Sequence, residues 1–281
     1  MIFEKQNDIF TARDALKRKD GEQKWVLLIS DIHYDSAKCD RKLLKKHLEQ
    51  AKEKDADILM FGDILDMMGG KFDPRSSKAD IRPEYQVKDY FDAVVRDAYK
   101  FFEPYKENIK FISYGNHEAS VIKRQEIDPL KNLAYMLGCE IGSYQGFIRF
   151  SFYRNDKLNS IVGTKLLYYT HGSGGSAPVT RGVIKTNRRN ATIQSDIFVS
   201  GHIHNEWVVN VPMVKVSQGG NIKKIDQTHI SLGTYKDDSF SSGAGWSDMK
   251  EFPPPSMGGC WLRFYYNKDS DDLSYETIRA I

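Results

Sequence analysis

The sequence has few cysteines, no long apolar run and almost no excess of charge of either sign. Its three cysteines, Cys39, Cys139 and Cys260, lie far apart without a CxxC pair, so neither a disulfide framework nor a thiolate zinc site is predicted. The formal net charge is only +3, which does not by itself indicate a nucleic-acid-binding protein. Because the amino-terminal segment is charged and no run of about 18 apolar residues is present, we expect a soluble, cytoplasmic protein without a membrane partner.

The 281 residues are 40% hydrophobic and 28% charged, as in an ordinary globular protein. Strand-like runs at 25–30, 57–61 and 109–114 alternate with helical patterns, the clearest of them over 85–103. This alternation is typical of an α/β fold. Since no internal repeat or convincing linker divides the chain, we expect a single domain over residues 1–281.

The second half of the chain is richer in β-structure patterns than the first. A short helical pattern occurs near residues 181–191. The strand-like runs of this half lie at 147–153, 165–169, 197–199, 207–210, 260–266 and 273–278.

Five polar motifs follow these apolar runs, and most of them contain or border a glycine. Any one of them is weak evidence, but five together are a specific pattern. Because ligands bind at the carboxyl ends of strands in open α/β sheets, we expect one shared site. His47 is left outside the pattern, on a helix face predicted to be charged, and His229 lies in a weakly patterned region. The motifs are Asp31-x-His33, Gly62-Asp63-x-x-Asp66, Gly115-Asn116-His117-Glu118, His171-Gly172 and Gly201-His202-x-His204.

The residue types in these motifs favour a metal centre. Residues at positions i and i+2 of an extended chain point to the same side, so Asp31 and His33 can reach one point in space. Imidazole nitrogens with carboxylate and amide oxygens, without cysteine, suit Mn²⁺, Fe²⁺ or Zn²⁺.

The motif series resembles that of the calcineurin-like metallophosphoesterases, from about residue 25 to residue 205. The resemblance implies a four-layer α-β-β-α sandwich of two mixed β-sheets, which the strands and long loops of residues 206–281 would complete. It also implies two divalent metal ions, for which Mn²⁺ is the first choice and Fe, Zn or Ni the alternatives. By matching motif positions, one metal would be bound by Asp31, His33, Asp63 and His204, and the other by Asp63, Asn116, His171 and His202.

The resemblance also implies roles for residues that do not bind metal. A metal-bound hydroxide would attack phosphorus in line, and His117 would protonate the leaving oxygen or stabilise its charge. Asp66 would accept the other ring hydrogen of His117, although a cap at a helix start is an alternative role for it. Glu118 is expected to support or cap the site without binding metal.

Substrate choice lies outside the shared motifs. The basic residues after His171 are either phosphate contacts, with Arg181 as the first choice, or scattered groups on a solvated helix. Four aromatic residues are candidates for base stacking, although packing explains them as well, and the 237–259 loop has no predicted role. These aromatic residues are Trp207, Tyr235, Trp246 and Phe252.

We expect hydrolysis of a phosphodiester, either in DNA or RNA or in a nucleotide. Met67 follows the GDxxD motif, where the protein phosphatase branch of the family continues with Arg-Gly. A phosphomonoesterase and a catalytically silent binding module are the alternatives. The late segments GTYKD and GGCWLRF resemble segments of phage-encoded members of this family. That resemblance does not indicate a substrate. The oligomeric state is open.

Overall fold

The computed structural model describes residues 1–17, 21–69, 80–155, 158–175, 179–216, 219–239, 254–269 and 272–281. In these residues the strands are β1 (Ile2–Gln6), β2 (Ile9–Ala15), β3 (Gln23–Ile29), β4 (Asp57–Phe61), β5 (Ile109–Ser113), β6 (Glu140–Gly142), β7 (Gln145–Tyr153), β8 (Ile161–Thr170), β9 (Ile197–Ser200), β10 (Trp207–Val216), β11 (Ile222–Ser231), β12 (Gly259–Asn267) and β13 (Asp272–Ala280). The helices are α1 (Arg41–Glu53), α2 (Tyr90–Phe102), α3 (Asn116–Gln125), α4 (Pro129–Leu137) and α5 (Lys185–Asn190).

The strands form two mixed sheets. In the described residues one sheet has seven strands in the order β1-β2-β7-β8-β9-β11-β10, and the other has six in the order β13-β12-β3-β4-β5-β6. The run from β3 to β6 is parallel, as is the run from β8 through β9 to β11. Each sheet therefore brings the carboxyl ends of several neighbouring strands to one edge.

The two sheets pack face to face. Leu28, Leu59 and Phe111 of the six-stranded sheet share one buried apolar cluster with Phe150 and Ile197 of the seven-stranded sheet. Because successive side chains of a strand point to opposite faces, the alternate residues of β3 and β4 lie in a second cluster. That cluster packs under helices α1, α2 and α4, whose apolar faces it contains.

The outer face of the seven-stranded sheet has a thinner cover. The short helix α5 lies there, with Thr186 buried and Arg189 in hydrogen-bonding contact with Ser200 of β9. The two sheets with flanking helices confirm the α/β sandwich that the motif series predicted.

Several elements differ from the sequence expectations. The helix predicted over 85–103 begins at Tyr90 and ends at Phe102, because a short 3-10 turn precedes it and Pro104 lies in another that follows it. The hairpin of β1 and β2 at the amino terminus was not predicted, and neither was β11. Polar and charged residues interrupt the apolar pattern in these strands.

Two histidines outside the motifs are buried, which the sequence did not indicate. His47 was placed on a charged helix face, but it lies on the buried face of α1, and its Nδ1 is 2.8 Å from the Tyr235 hydroxyl. His229 lies in β11, and its ring stacks on Phe198 with the centroids 4.3 Å apart. No helix in the described part of the chain is long and apolar enough to cross a bilayer.

Candidate metal centre

The five motifs lie at the carboxyl ends of β3, β4, β5, β8 and β9, where the two sheets meet. Main-chain hydrogen bonds join the loops after β3 and β4, from Asp31 N to Gly62 O at 3.0 Å and from His33 N to Asp63 O at 2.9 Å. The loop after β8 contacts the loop after β9 through a bond from Gly201 N to His171 O at 3.1 Å. The motifs are therefore held together before any ligand is considered.

Five residues of these motifs have left-handed backbone conformations. This conformation costs a non-glycine residue about 1 kcal/mol or more, and it persists where the surrounding structure enforces it. Here the turns aim successive side chains at one centre instead of alternating them across a strand. The φ angles are 51° for Asp31, 50° for His33, 49° for Asp63, 75° for His202 and 52° for His204.

Two glycines allow the motif loops to approach each other closely. A Cβ atom on Gly115 would lie 2.1 Å from Asp63 Oδ1. One on Gly201 would lie 2.0 Å from Ser30 Oγ and 2.4 Å from Asp31 Oδ2. Since no side chain fits at either position, glycine is a packing requirement of the two acidic residues.

Three overlapping groups of side chains have the geometry of metal ligands. Asp63 belongs to two of the groups and so lies between them, as a bridging ligand must. Each group places one potential ligand atom per residue within 4.8 Å of the others. The groups are Asp31 with His33 and His204, His33 with Asp63 and His117, and Asp63 with His171 and His202.

The first group brings two imidazole nitrogens and a carboxylate oxygen close together. His33 Nδ1 is 2.7 Å from Asp66 Oδ1 and must donate to that carboxylate, so the Nε2 of the neutral ring carries a lone pair. That atom lies 3.4 Å from His204 Nε2, and Asp31 Oδ1 lies 3.2 Å from His204 Nε2. Asp31 Oδ1 is also a buried atom without a hydrogen-bond partner among the described residues. A cation satisfies all three atoms.

The group of Asp63, His171 and His202 also brings imidazole nitrogens close to a carboxylate oxygen. His171 Nδ1 is 3.0 Å from the main-chain oxygen of Phe61 and donates to it, which directs Nε2 at the site. Nε2 lies 3.2 Å from Asp63 Oδ2 and 3.0 Å from Asn116 Oδ1. The ring of His202 lies 5.3 Å from that of His171, centroid to centroid. The amide of Asn116 thus joins the group that the sequence assigned to the second metal.

The electrostatics of the site favour a cation. Burial alone would lower the pKa of His171, but the carboxylates of Asp63 and Asp31 outweigh it and raise that pKa to about 10. Burial would raise the pKa of Asp31, yet His171 and His204 hold it at about 2. The site therefore stabilises positive charge strongly, and its residues fit divalent metal ions by donor type as well as by geometry.

The contact between His117 and Asp66 differs from the expectation. His117 Nδ1 lies 2.6 Å from the main-chain oxygen of Asp66 and 3.6 Å from its Oδ1. The carbonyl, not the carboxylate, is thus the closer acceptor, because the Asp66 carboxylate is turned to His33. His117 Nε2 faces the site, 3.9 Å from Asp63 Oδ2. Asp66 orients both rings, through two different oxygens.

Lys236 is a site residue that the sequence reasoning missed. Its Nζ lies 2.9 Å from Asp66 Oδ1, the same oxygen that His33 contacts, and its side chain is 15% exposed. Burial would lower the pKa of Lys236, but Asp66 raises it. Hydrogen bonds from Tyr235 N to Asp31 O and from Asp237 N to Lys38 O hold this segment against the first motif. In the sequence, Lys236 is marked only by its place in the GTYKD segment. No regular spacing relates that segment to the five motifs.

Two buried carboxylates hold the loop after β4. Glu118 accepts hydrogen bonds from the main-chain nitrogens of Asp63, Ile64, Leu65 and Gly115, at 2.7–3.1 Å. This is the supporting role that the sequence suggested for it. Burial, with the nearby Asp63 charge, raises the pKa of Glu118 to about 7.

Asp35 supports the next turn of the same loop. It accepts from Asp66 N at 2.6 Å and from Met67 N at 2.9 Å. The Tyr90 hydroxyl also donates to it, at 2.6 Å. The loop that carries Asp63 and Asp66 is therefore fixed along its length by carboxylates that do not face the centre.

The candidate substrate residues are more peripheral. Arg181 is exposed, and its main-chain oxygen accepts a 2.9 Å hydrogen bond from the Trp207 indole. Tyr235 is fully buried against His47, so it is a packing residue and offers no stacking face. Trp246, Phe252 and residues 240–253 of the 237–259 loop lie outside the described residues.

Comparison with solved structures gives similarities at low identity. The chain is 14% identical to a metallophosphoesterase from Sphaerobacter thermophilus, with 91% of this chain and 88% of that one covered and a TM-score of 0.38. It is 12% identical to GAP50 of Plasmodium, described as the anchor in the inner membrane complex, with 92% and 85% covered and a TM-score of 0.40. A conserved uncharacterized protein of Streptococcus pneumoniae TIGR4, a predicted phosphoesterase, is 11% identical, with 92% and 98% covered and a TM-score of 0.31.

No curated protein matches the sequence. The sequence model of the calcineurin-like phosphoesterases, in contrast, matches residues 24–244, which is well over half of the chain. The match spans all five polar motifs and the Lys236 segment. The chain belongs to the calcineurin-like phosphoesterase family.

Proposed function

We propose that this protein is a phosphodiesterase that uses two divalent metal ions to hydrolyse a nucleic acid or a nucleotide. The observation that carries the proposal is the set of three overlapping His and Asp groups, with Asp63 shared between two of them. Imidazole nitrogens and carboxylate oxygens converge there at short distances, and this donor set favours metal binding over a purely structural cluster.

The proposed ligands are Asp31, His33, Asp63 and His204 for one ion, and Asp63, Asn116, His171 and His202 for the other. Their oxygen and nitrogen atoms suit Mn²⁺, our first choice, and also Fe, Zn or Ni. When bound, such ions lower the pKa of a water molecule and neutralise charge on the phosphate oxygens.

The residues of the chain supply the remaining steps. His117 is only partly buried, and its Nε2 faces the centre while Nδ1 donates to the Asp66 carbonyl. In the proposed reaction His117 donates a proton from Nε2 to the leaving oxygen, while the Asp66 carbonyl holds the ring in place through Nδ1. His33, fixed by Asp66, keeps its Nε2 free for metal. His117 and His33 thus take different roles on either side of one aspartate.

The preference for a diester is supported by sequence analogy and by charge. Met67 stands where protein phosphatases of this family continue with Arg-Gly, which argues against a phosphoprotein substrate. In addition, residues 179–195 beside the centre contain four basic residues and no acidic one, which suits a polyanion.

The test is hydrolysis of bis(p-nitrophenyl) phosphate and p-nitrophenyl phosphate by protein stripped of metal and resupplied with Mn²⁺. We expect metal-dependent turnover that is faster with the diester, and none with Asp63→Ala. Faster turnover of the monoester would overturn the diester assignment. Absence of turnover of both, with two metals bound, would favour a binding module instead.

A further inference from the structure

Helix α5 holds two cations against the segments that lead into the candidate metal centre. Lys185 and Arg189 are four residues apart and so lie on the same face of the helix. The Lys185 ammonium donates to the main-chain oxygen of Ser173, and Arg189 Nη1 donates to Ser200 Oγ at 3.1 Å. Ser173 is two residues beyond His171, and Ser200 is two residues before His202. Both cations therefore contact the segments that carry the proposed ligands of the second metal.

Neither cation has a carboxylate partner in the described part of the chain. Their acceptors, a carbonyl and a hydroxyl, are neutral and leave the positive charge uncompensated. Burial lowers the pKa of both groups, and Arg189 and Arg188 also lower that of Lys185 by repulsion. Two partly desolvated like charges held side by side are unfavourable unless an anion joins them.

The groups beneath Arg189 are neutral as well. His229 faces Arg189 from β11, and burial together with the Arg189 charge lowers its pKa to about 4, so its ring is uncharged at neutral pH. The Tyr168 hydroxyl faces Arg189 from β8, and burial raises the pKa of that phenol. Among the described residues, the groups that face Arg189 from the sheet thus carry no negative charge.

We propose that Lys185 and Arg189 form a second anion-binding site, which takes a phosphate group next to the one that is hydrolysed. The inference rests on the proposed phosphodiesterase function and narrows its substrate to a molecule with at least two phosphates. Arg189, not the exposed Arg181, is then the residue of this segment that selects the substrate. A guanidinium suits this role because it contacts phosphate through two parallel hydrogen bonds.

Two sources supply such a pair of phosphates, a nucleic-acid strand and a nucleotide with a diphosphate. The test measures binding to the Mn²⁺-loaded protein by fluorescence anisotropy. One probe is a labelled, hydrolysis-resistant trithymidylate with phosphorothioate linkages. The other is the same strand with a neutral methylphosphonate at one linkage. ADP serves as the competitor that represents the second source.

We expect the fully charged strand to bind about tenfold more tightly than the methylphosphonate strand. Arg189→Gln should remove that difference and reduce the salt slope of binding by about 0.7 for the lost contact. Arg189→Lys should restore part of the affinity difference between the two strands. Arg188→Gln, an equal change of charge at the exposed neighbouring position, should leave the difference in place.

If the affinity difference between the two strands persists in both Arg189→Gln and Lys185→Gln, the proposal of a second anion-binding site is wrong. If ADP competition depends on Arg189 but strand binding does not, the site stands and its ligand is a nucleotide diphosphate. Hydrolysis of bis(p-nitrophenyl) phosphate, which has a single phosphate, separates this inference from the proposed function. Absence of hydrolysis combined with Arg189-dependent binding would refute the diesterase and keep the anion site.

Discussion

The two sheets contribute unequally to the candidate metal centre. The six-stranded sheet supplies Asp31, Asp63 and their supporting carboxylates, all of them buried. The seven-stranded sheet supplies the buried His171 and the partly exposed His202 and His204, and it has the short helix α5 on its outer face. Many buried hydrogen bonds fix the six-stranded side, whereas the seven-stranded side is more exposed and carries the basic residues of α5.

This difference suggests a division of roles between the sheets. Metal ligands must hold their positions within a few tenths of an ångström, which buried hydrogen bonds to main-chain nitrogens achieve. Substrate groups must enter and leave, which requires exposed side chains on a thinner layer. We therefore expect substitutions of the buried supporting residues on the six-stranded side to change stability and metal binding, and substitutions on α5, away from the proposed ligands, to change substrate binding.

The largest effect is expected for Glu118→Ala, on the six-stranded side. Four main-chain nitrogens would lose a buried acceptor, which should lower the free energy of unfolding by about 4 kcal/mol. Urea denaturation measures this, with Glu107→Ala as an exposed control expected to stay within about 0.5 kcal/mol. Equal small effects in both variants would show that the loop does not depend on this carboxylate.

His117→Ala should reduce turnover about 10²- to 10⁴-fold while leaving both metals bound. The loss should be larger for an alkyl leaving group than for p-nitrophenolate, because a poor leaving group needs the proton more. Rates with the two esters and metal content by elemental analysis test this. Full activity toward the alkyl ester would contradict the acid role.

Lys236→Met should weaken metal affinity about 10- to 100-fold, because Asp66 would lose the partner that holds it on His33. Titration calorimetry with Mn²⁺ measures the affinity directly. Lys236→Arg should recover part of the loss, and Lys38→Met, which removes a surface pair with Asp80, should have no effect. Unchanged affinity in Lys236→Met would show that the lysine does not act on the metal centre through Asp66.

The smallest effect is expected for Trp207→Phe, on the seven-stranded side. The variant loses only the hydrogen bond from the indole to the Arg181 oxygen, so stability should fall by about 1 kcal/mol or less. Metal affinity should be unchanged. A marked loss of metal in this variant would show that the two sides of the centre are not independent.

Much of the fold and of the candidate site was predictable because local patterns carry them. The apolar run 57–61 matches β4 residue for residue, and the helical pattern over 85–103 contains α2. The contacts that support these residues were harder to predict from the sequence. Whether Asp66 contacts His117 through its carbonyl or its carboxylate depends on the turn at residues 63–67, which is set by Asp35 and Glu118.

The sequence by itself determined the family, the sheet-and-helix alternation and the residues that form the centre, because each motif lies directly after an apolar strand. Only the tertiary structure decided which groups support those residues. Lys236 lies 170 positions from Asp66 in the chain, and α5 contacts β9 from across a loop. Such contacts between distant segments leave no periodic pattern, since they depend on how the two sheets pack rather than on local backbone geometry.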